Sequence, residues 1–185
     1  MGDREELFRL ILEKSLELKQ VVLSSGKTSN YYIDCKLTTL RPDGAYHVAS
    51  IFLDWILQTE ARAVGGPVIG ADPIVGAMAA LSHQRGEPIH AFLVRKAAKE
   101  HGKRQKIEGV LIPGEPVVIL DDVVTTGGSL LRAVDEVEKL NCPVVSVFTV
   151  VDRQEGAREN LERRGLELKA IFTRDELLEA KRGTG

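Results

Sequence analysis

The sequence predicts an α/β fold built on an open parallel sheet flanked by helices, and three observations carry that prediction. Short apolar runs alternate with helix-length amphipathic segments along most of the chain, the pattern of strand–helix–strand units. One run, Val117-Val118-Ile119-Leu120, is apolar without interruption, as a strand buried on both faces of a parallel sheet has to be. The chain has 185 residues, 43% of them hydrophobic and 28% charged. That is enough to bury one core and ordinary for a globular domain.

The elements follow in order. Leu7, Leu10, Ile11 and Leu18 recur at helical spacing with Glu and Lys between them, so an amphipathic helix opens the chain. Residues 21–23 and 31–35 read as short strands around a polar turn at 24–29. Pro42, suited to a first helical position, starts a helix through Ile51, Phe52, Trp55 and Ile56. Residues 63–69 predict a strand interrupted by Gly65, Gly66 and Pro67, and residues 73–81 a helix rich in small residues. Strands are expected at 89–94, 117–120, 144–151 and 166–172, and helices at 129–140, 155–164 and 175–181. Residues 96–113 break the pattern. They are polar and poorly periodic, and so long a loop inside a domain is functional or disordered.

Composition narrows the function. Lys plus Arg is 25 and Asp plus Glu is 27, a formal net charge of −2. A protein that grips nucleic acid shows a basic excess, so no nucleic-acid partner is expected and any anion site must be local. The two cysteines, Cys35 and Cys142, form neither a metal motif nor a disulfide framework. No apolar run is long enough to span a bilayer, and residues 1–6 are too acidic for the start of a secretory signal. The expectation is a cytoplasmic protein without a membrane partner.

The most informative stretch continues from the apolar run as Asp121-Asp122-Val123-Val124-Thr125-Thr126-Gly127-Gly128-Ser129. Two carboxylates end a strand, a turn of hydroxyls and glycines follows, and a helix begins. Such a turn presents backbone N–H groups to a phosphate at the positive end of a helix dipole. The carboxylates would repel that phosphate. They suit sugar hydroxyls, or a hydrated Mg²⁺. Together the two halves describe a site for a ribose phosphate. Gly26-Lys27-Thr28 imitates the end of a nucleotide-binding loop, but Val21 stands where that motif needs glycine, and Tyr31-Tyr32-Ile33 favours a strand where it needs a helix.

Residues 117–129 resemble the signature of the phosphoribosyltransferases, which use 5-phosphoribosyl 1-pyrophosphate (PRPP). The resemblance implies a phosphoribosyltransferase-like sheet and PRPP contacts from Asp121, Asp122, Val123, Val124, Thr125, Thr126, Gly127, Gly128 and Ser129. A second stretch, Arg95-Lys96-Ala97-Ala98-Lys99-Glu100-His101-Gly102, concentrates positive charge after a strand. Most charge runs are solvated loops, but the spacing Arg-Lys-x-x-Lys-x-His-Gly is similar to the catalytic loop of the orotate phosphoribosyltransferases. That resemblance implies pyrophosphate contacts from Arg95, Lys96, Lys99 and His101, some across a homodimer interface, with Lys99 and Asp122 as the catalytic pair.

Two further stretches resemble the same family. Ser25-Gly26-Lys27-Thr28-Ser29-Asn30-Tyr31-Tyr32 is similar to its small N-terminal hood, in which an aromatic ring borders orotate. Tyr32 is the expected aromatic here, and Tyr31 the expected buried strand residue. Asp152-Arg153-Gln154-Glu155 places a guanidinium at a strand end, where the resemblance assigns Arg153, with Thr125, to orotate. A guanidinium engages a planar carboxylate through two parallel bonds, and orotate carries one while uracil does not. Ser24 replaces a lysine of several relatives, and the loop at 70–76, ending Val75-Gly76, lacks another.

The expectation is a single domain over residues 1–185, with residues 1–40 supplying the opening helix and hood. It would transfer ribose 5-phosphate from PRPP to orotate, with Mg²⁺ held through pyrophosphate and ribose oxygens and no direct protein ligand. The alternatives are transfer to another base, or a nucleotide-sensing RNA-binding regulator on the same fold.

Overall fold

A computed structural model describes residues 2–22, 28–97 and 106–183. Helix α1 (Asp3–Leu10) runs into a π-helical turn (Ile11–Ser15) and then into strand β1 (Leu16–Glu17). The opening helix therefore stops before Leu18, which is 48% exposed rather than part of the expected apolar stripe. The next strands are two residues each: β2 (Val21–Val22), β3 (Thr28–Ser29) and β4 (Tyr32–Ile33). They pair antiparallel as β1–β4 and β2–β3, two small ribbons apart from the main sheet at the residues expected to form the hood. Helices α2 (Lys36–Thr39) and α3 (Pro42–Ile56) lead into the main fold, the latter with Pro42 at its start as expected.

From there strands and helices alternate: β5 (Ala63–Pro67), α4 (Asp72–Gln84), β6 (His90–Val94), β7 (Ile107–Gly109), β8 (Val117–Val124), α5 (Gly128–Glu138), β9 (Val144–Asp152), α6 (Ala157–Glu162), β10 (Leu168–Thr173) and α7 (Arg174–Gly183). The sheet order is β10-β9-β8-β5-β6-β7. Neighbours run parallel except β7, which is antiparallel to β6. Strand β7 corrects the expectation of an unbroken loop over 96–113: three residues around Glu108 are too short to show a period, yet they close the sheet edge.

The pleat sorts β8 into two cores. Val118 and Leu120 join Val64, Phe52 and Phe148 on the face covered by α1, α3, α4 and α7. Val117 and Ile119 join Ala63, Leu130 and Leu161 on the face covered by α5 and α6. The glycines that interrupt β5 are required there. A Cβ on Gly65 would collide with the Phe92 ring, and one on Gly66 with the carbonyl oxygen of Leu120.

The sheet's strand order reverses between β5 and β8, which pair only from Ala63↔Val117 to Gly65↔Ile119. The ladder stops there while Gly66 still lies against the Leu120 carbonyl, and the carboxyl ends of the two strands mark the place where open α/β sheets bind ligands. Gly66→Ala should therefore destabilise the fold by about 1–3 kcal/mol or more through overpacking against Leu120. An unchanged urea midpoint would contradict this account of the close approach.

Candidate active site

Strand β8 does not end, as the sequence predicts, with the uninterrupted apolar run at Leu120. It continues through the acid pair because its pairing with β9 does, as Asp121↔Thr149, Val123↔Val151 and Val124↔Asp152. Both carboxylates converge on Gly70, in the loop between β5 and α4, whose Cβ would meet an oxygen of each. The Asp122 amide donates to Asp121 Oδ1 at 2.9 Å, and the Val123 amide to Asp122 Oδ1 at 2.8 Å. Asp122 is only 7% exposed.

Asp122 is thus held out of water, with Asp121 half-buried beside it. Burial, and then the charge of Asp122, push the Asp121 carboxyl well above its ordinary range. Burial also raises Asp122, against the opposing pull of the Lys36 ammonium. Lys36 Nζ lies 4.0 Å from Asp122 Oδ2 and 2.7 Å from Asp34 Oδ1, and so joins the hood to the acid pair. No motif in the sequence marks Lys36. Its only signal was its place two residues beyond Asp34.

The turn after the acids forms a concave cradle of about 160 Å³, lined by Asp121, residues 123–130 and Arg132. Gly127 takes φ 78°, a left-handed conformation that glycine adopts without strain, and turns the chain into α5. The first intrahelical bond across this turn runs from the Leu131 amide to the Gly127 carbonyl, 2.9 Å. The amides ahead of it have no intrahelical acceptor and face the helix's positive end. Asn160 of α6 braces the turn by donating to the Thr126 carbonyl at 2.8 Å, and Arg132 donates to Ser129 Oγ at 2.9 Å. Neither residue was singled out from the sequence.

A larger cavity of about 740 Å³ opens beside the cradle, between the hood and α7. Tyr31, Thr126, Arg153, Glu155 and Arg174 are among its lining residues. Here the expectation for the tyrosines is reversed. Pairing of β1 with β4 sets Tyr32 opposite Glu17 and leaves it 41% exposed beneath Lys19, whereas Tyr31 enters the cavity. Arg153 donates from Nε and Nη2 to the Tyr31 hydroxyl at 3.3 and 3.2 Å. The neighbouring Asp152 is fully buried and engages Arg158 at 2.8 Å, so it leaves Arg153 to the cavity. Thr125 lines the cradle, and Thr126 lines both cavities.

Arg95 and Lys96 follow β6 and line a third cleft of about 150 Å³ with Ser129 and Arg132. The Arg95 amide donates to the Lys106 carbonyl at 2.7 Å, which roots the basic segment beside the cradle. Lys99 and His101 lie outside the described residues. Among the described residues, no cluster of three or more His, Cys, Asp or Glu is placed to hold a metal, and no helix is long and apolar enough to cross a membrane.

The model of the phosphoribosyl transferase domain matches residues 56–175. The chain is 45% identical over 181 residues to the orotate phosphoribosyltransferase of Aquifex aeolicus, covering 96% of this chain and 99% of the relative. The chain belongs to the orotate phosphoribosyltransferases. It is also 41% identical over 180 residues to the Sorangium cellulosum member, covering 96% and 94% of the two chains. The Mycobacterium tuberculosis orotate phosphoribosyltransferase superposes with a TM-score of 0.84 at 38% identity, covering 95% of this chain and 99% of that one. A structure of that same protein in complex with PRPP gives 0.80 at 35% identity, covering 95% and 99%. Membership makes this chain a pentosyl transferase of pyrimidine biosynthesis.

The buried acid pair has a consequence for stability. Folding raises the Asp121 pKa above its ordinary value of 3.8, so the folded state holds that proton more tightly than the unfolded state. Stability from this group is therefore present at low pH and is lost as pH rises through the interval between the two values. Asp121→Asn should raise the stability of the substrate-free protein at neutral pH by about 1 kcal/mol, or roughly 2–4 °C in Tm. The gain should vanish as pH falls toward the ordinary carboxylate range. Equal melting curves at neutral pH would contradict the cost assigned to the buried charge.

Proposed function

We propose that the crevice at the carboxyl edge of the sheet is where ribose 5-phosphate passes from PRPP to orotate, giving orotidine 5′-phosphate and pyrophosphate. One observation carries the assignment of roles: an acid pair, an amide-lined cradle and a guanidinium in the larger cavity adjoin one another there. Residues Thr125, Thr126, Gly127, Gly128 and Ser129 hold the 5′-phosphate. Asp121 and Asp122 accept hydrogen bonds from the ribose hydroxyls. Arg153 binds the orotate carboxylate, with Thr125 and the Tyr31 ring bordering the base.

Orotate brings its own nucleophile. Its ring nitrogen attacks the anomeric carbon as the bond to pyrophosphate breaks, so no covalent enzyme intermediate is needed. The protein's tasks are orientation and stabilisation of developing charge. Positive charge spreads over the ribose ring in the transition state, and the Asp122 carboxylate eases it. Negative charge grows on the departing pyrophosphate, and Arg95, Lys96, Lys99 and His101 meet it. Lys99 is the catalytic cation in this assignment.

A substrate-borne Mg²⁺ fits beside the acid pair, where the buried Asp122 carboxylate already faces a cation, the Lys36 ammonium 4.0 Å from its Oδ2. Mg²⁺ carried on the substrate, with no direct protein ligand, would supply further neutralisation of the leaving group beside Asp121 and Asp122. The proposal extends to one domain over residues 1–185, with 1–40 as helix and hood, acting in the cytoplasm as a homodimer. Leu37 of α2, Leu40 just after it and Tyr46 of α3 are large apolar side chains left exposed, which supports cover by a second copy. Sedimentation at monomer mass would oppose it.

Arg153→Ala should raise the KM for orotate by roughly 10- to 100-fold, the scale of a hydrogen bond to a charged group, with much less effect on PRPP. Equal weakening of both substrates would defeat the assignment. Lys99→Ala should lower turnover by roughly 10²–10³, as loss of one transition-state donor does, and near-normal turnover would remove Lys99 from the mechanism.

A further inference from the structure

The cavity assigned to orotate already holds a carboxylate of the protein itself. Glu155 Oε1 lies 2.9 Å from Arg153 Nη2 and 3.4 Å from the Tyr31 hydroxyl, which donates to it. The same Tyr31 hydroxyl accepts from Arg153 Nε and Nη2 at 3.3 and 3.2 Å. The Nε–Nη2 edge of the guanidinium, one of the two that grip a planar carboxylate with parallel bonds, is therefore in use. We propose that Glu155 is a resident stand-in for the substrate's carboxylate, and that orotate binds by taking its place on Arg153. This rests on the assignment of Arg153 to orotate.

The geometry supports exchange rather than a fixed brace. Arg153 is held down, its side chain 12% exposed and its amide bonded to the Val124 carbonyl at 2.9 Å. Glu155 is 35% exposed, so its carboxylate can turn into water while the guanidinium stays. The backbone aims Glu155 back at the strand end it has just left. It stands between Gln154 at φ 56° and Gly156 at φ 97°. Gln154 is pinned at both ends, its amide donating to Asp152 Oδ1 at 2.8 Å and its Oε1 accepting from the Asp175 amide at 3.1 Å.

An internal carboxylate on Arg153 has two effects. It keeps a mostly buried guanidinium paired when no base is bound, and it reduces the fraction of molecules ready to accept orotate. Apparent affinity falls in proportion to that fraction. A base without a carboxylate gains nothing from opening the pair, because it has no group to exchange for Glu155. The residue thus helps to set specificity for an acidic pyrimidine.

The test measures orotate affinity by calorimetry, and its KM at saturating PRPP, for Glu155→Gln, Arg153→Ala and the double variant. The neutral amide keeps the shape of the side chain and loses the charge. Glu155→Gln should bind orotate roughly 3- to 10-fold more tightly, as expected if the pair is closed in most free molecules, with the KM for PRPP unchanged. In the Arg153→Ala background the same change should do nothing. A merely structural brace predicts the opposite sign, weaker binding from a loosened loop. Unchanged or weaker orotate binding by Glu155→Gln, with Arg153→Ala still impaired, would overturn the proposal and leave the assignment of Arg153 intact. Normal orotate binding by Arg153→Ala would instead remove that assignment, and the proposal with it.

Discussion

Two adjacent carboxylates, Asp122 buried and Asp121 half-buried, are the constraint around which the site is arranged. Asp121 and Asp122 stand where β8 has lost its β5 neighbour and kept its β9 neighbour. The backbone there is rigid while one side opens into a crevice. Buried charge without a full partner is costly, and the protein offers the pair two backbone amides and the Lys36 ammonium. The remaining acceptor capacity suits the hydroxyls of a ribose. Stability spent in the free enzyme becomes a reason to bind, a common relation between stability and function at active sites.

Close backbone packing makes that placement possible. Gly66 lets β5 press against the Leu120 carbonyl, and Gly70 lets the next loop lie directly on both acids. Gly127 then turns the chain into α5, so its free amides lie within a few residues of the carboxylates. Acids and amides are brought together by one strand, one turn and one helix, with few degrees of freedom between them. The base cavity is assembled differently. Its walls come from the hood, the end of β9 and α7, which are far apart in sequence and joined by side-chain contacts such as Tyr31 to Arg153.

That difference explains what the sequence revealed. The central strand, the acids and the glycine turn are contiguous, and each is dictated by local chemistry: an apolar run, paired charge, positive φ. They were legible. The hood was legible in part: β2 and β4 fall within the expected 21–23 and 31–35, but strands of two residues have no period to read, and their pairing decides which of Tyr31 and Tyr32 faces the cavity. The opening helix stops short of Leu18 because the chain passes through a π-helical turn into β1 to meet β4, a tertiary demand that overrides a helical spacing. Strand β7 hid inside a polar stretch for the same reason. Lys36 and Asn160 act on Asp122 and on the Thr126 carbonyl, partners that the fold rather than the sequence brings near, and neither carried a motif.

The most direct measurement of the central claim is a crystal structure of the enzyme with PRPP and Mg²⁺ bound. The account predicts the 5′-phosphate on the amides of the Thr125-to-Ser129 turn and the ribose hydroxyls on Asp121 and Asp122. A ribose phosphate seated elsewhere, with both carboxylates left facing only Lys36 and their own amides, would contradict it.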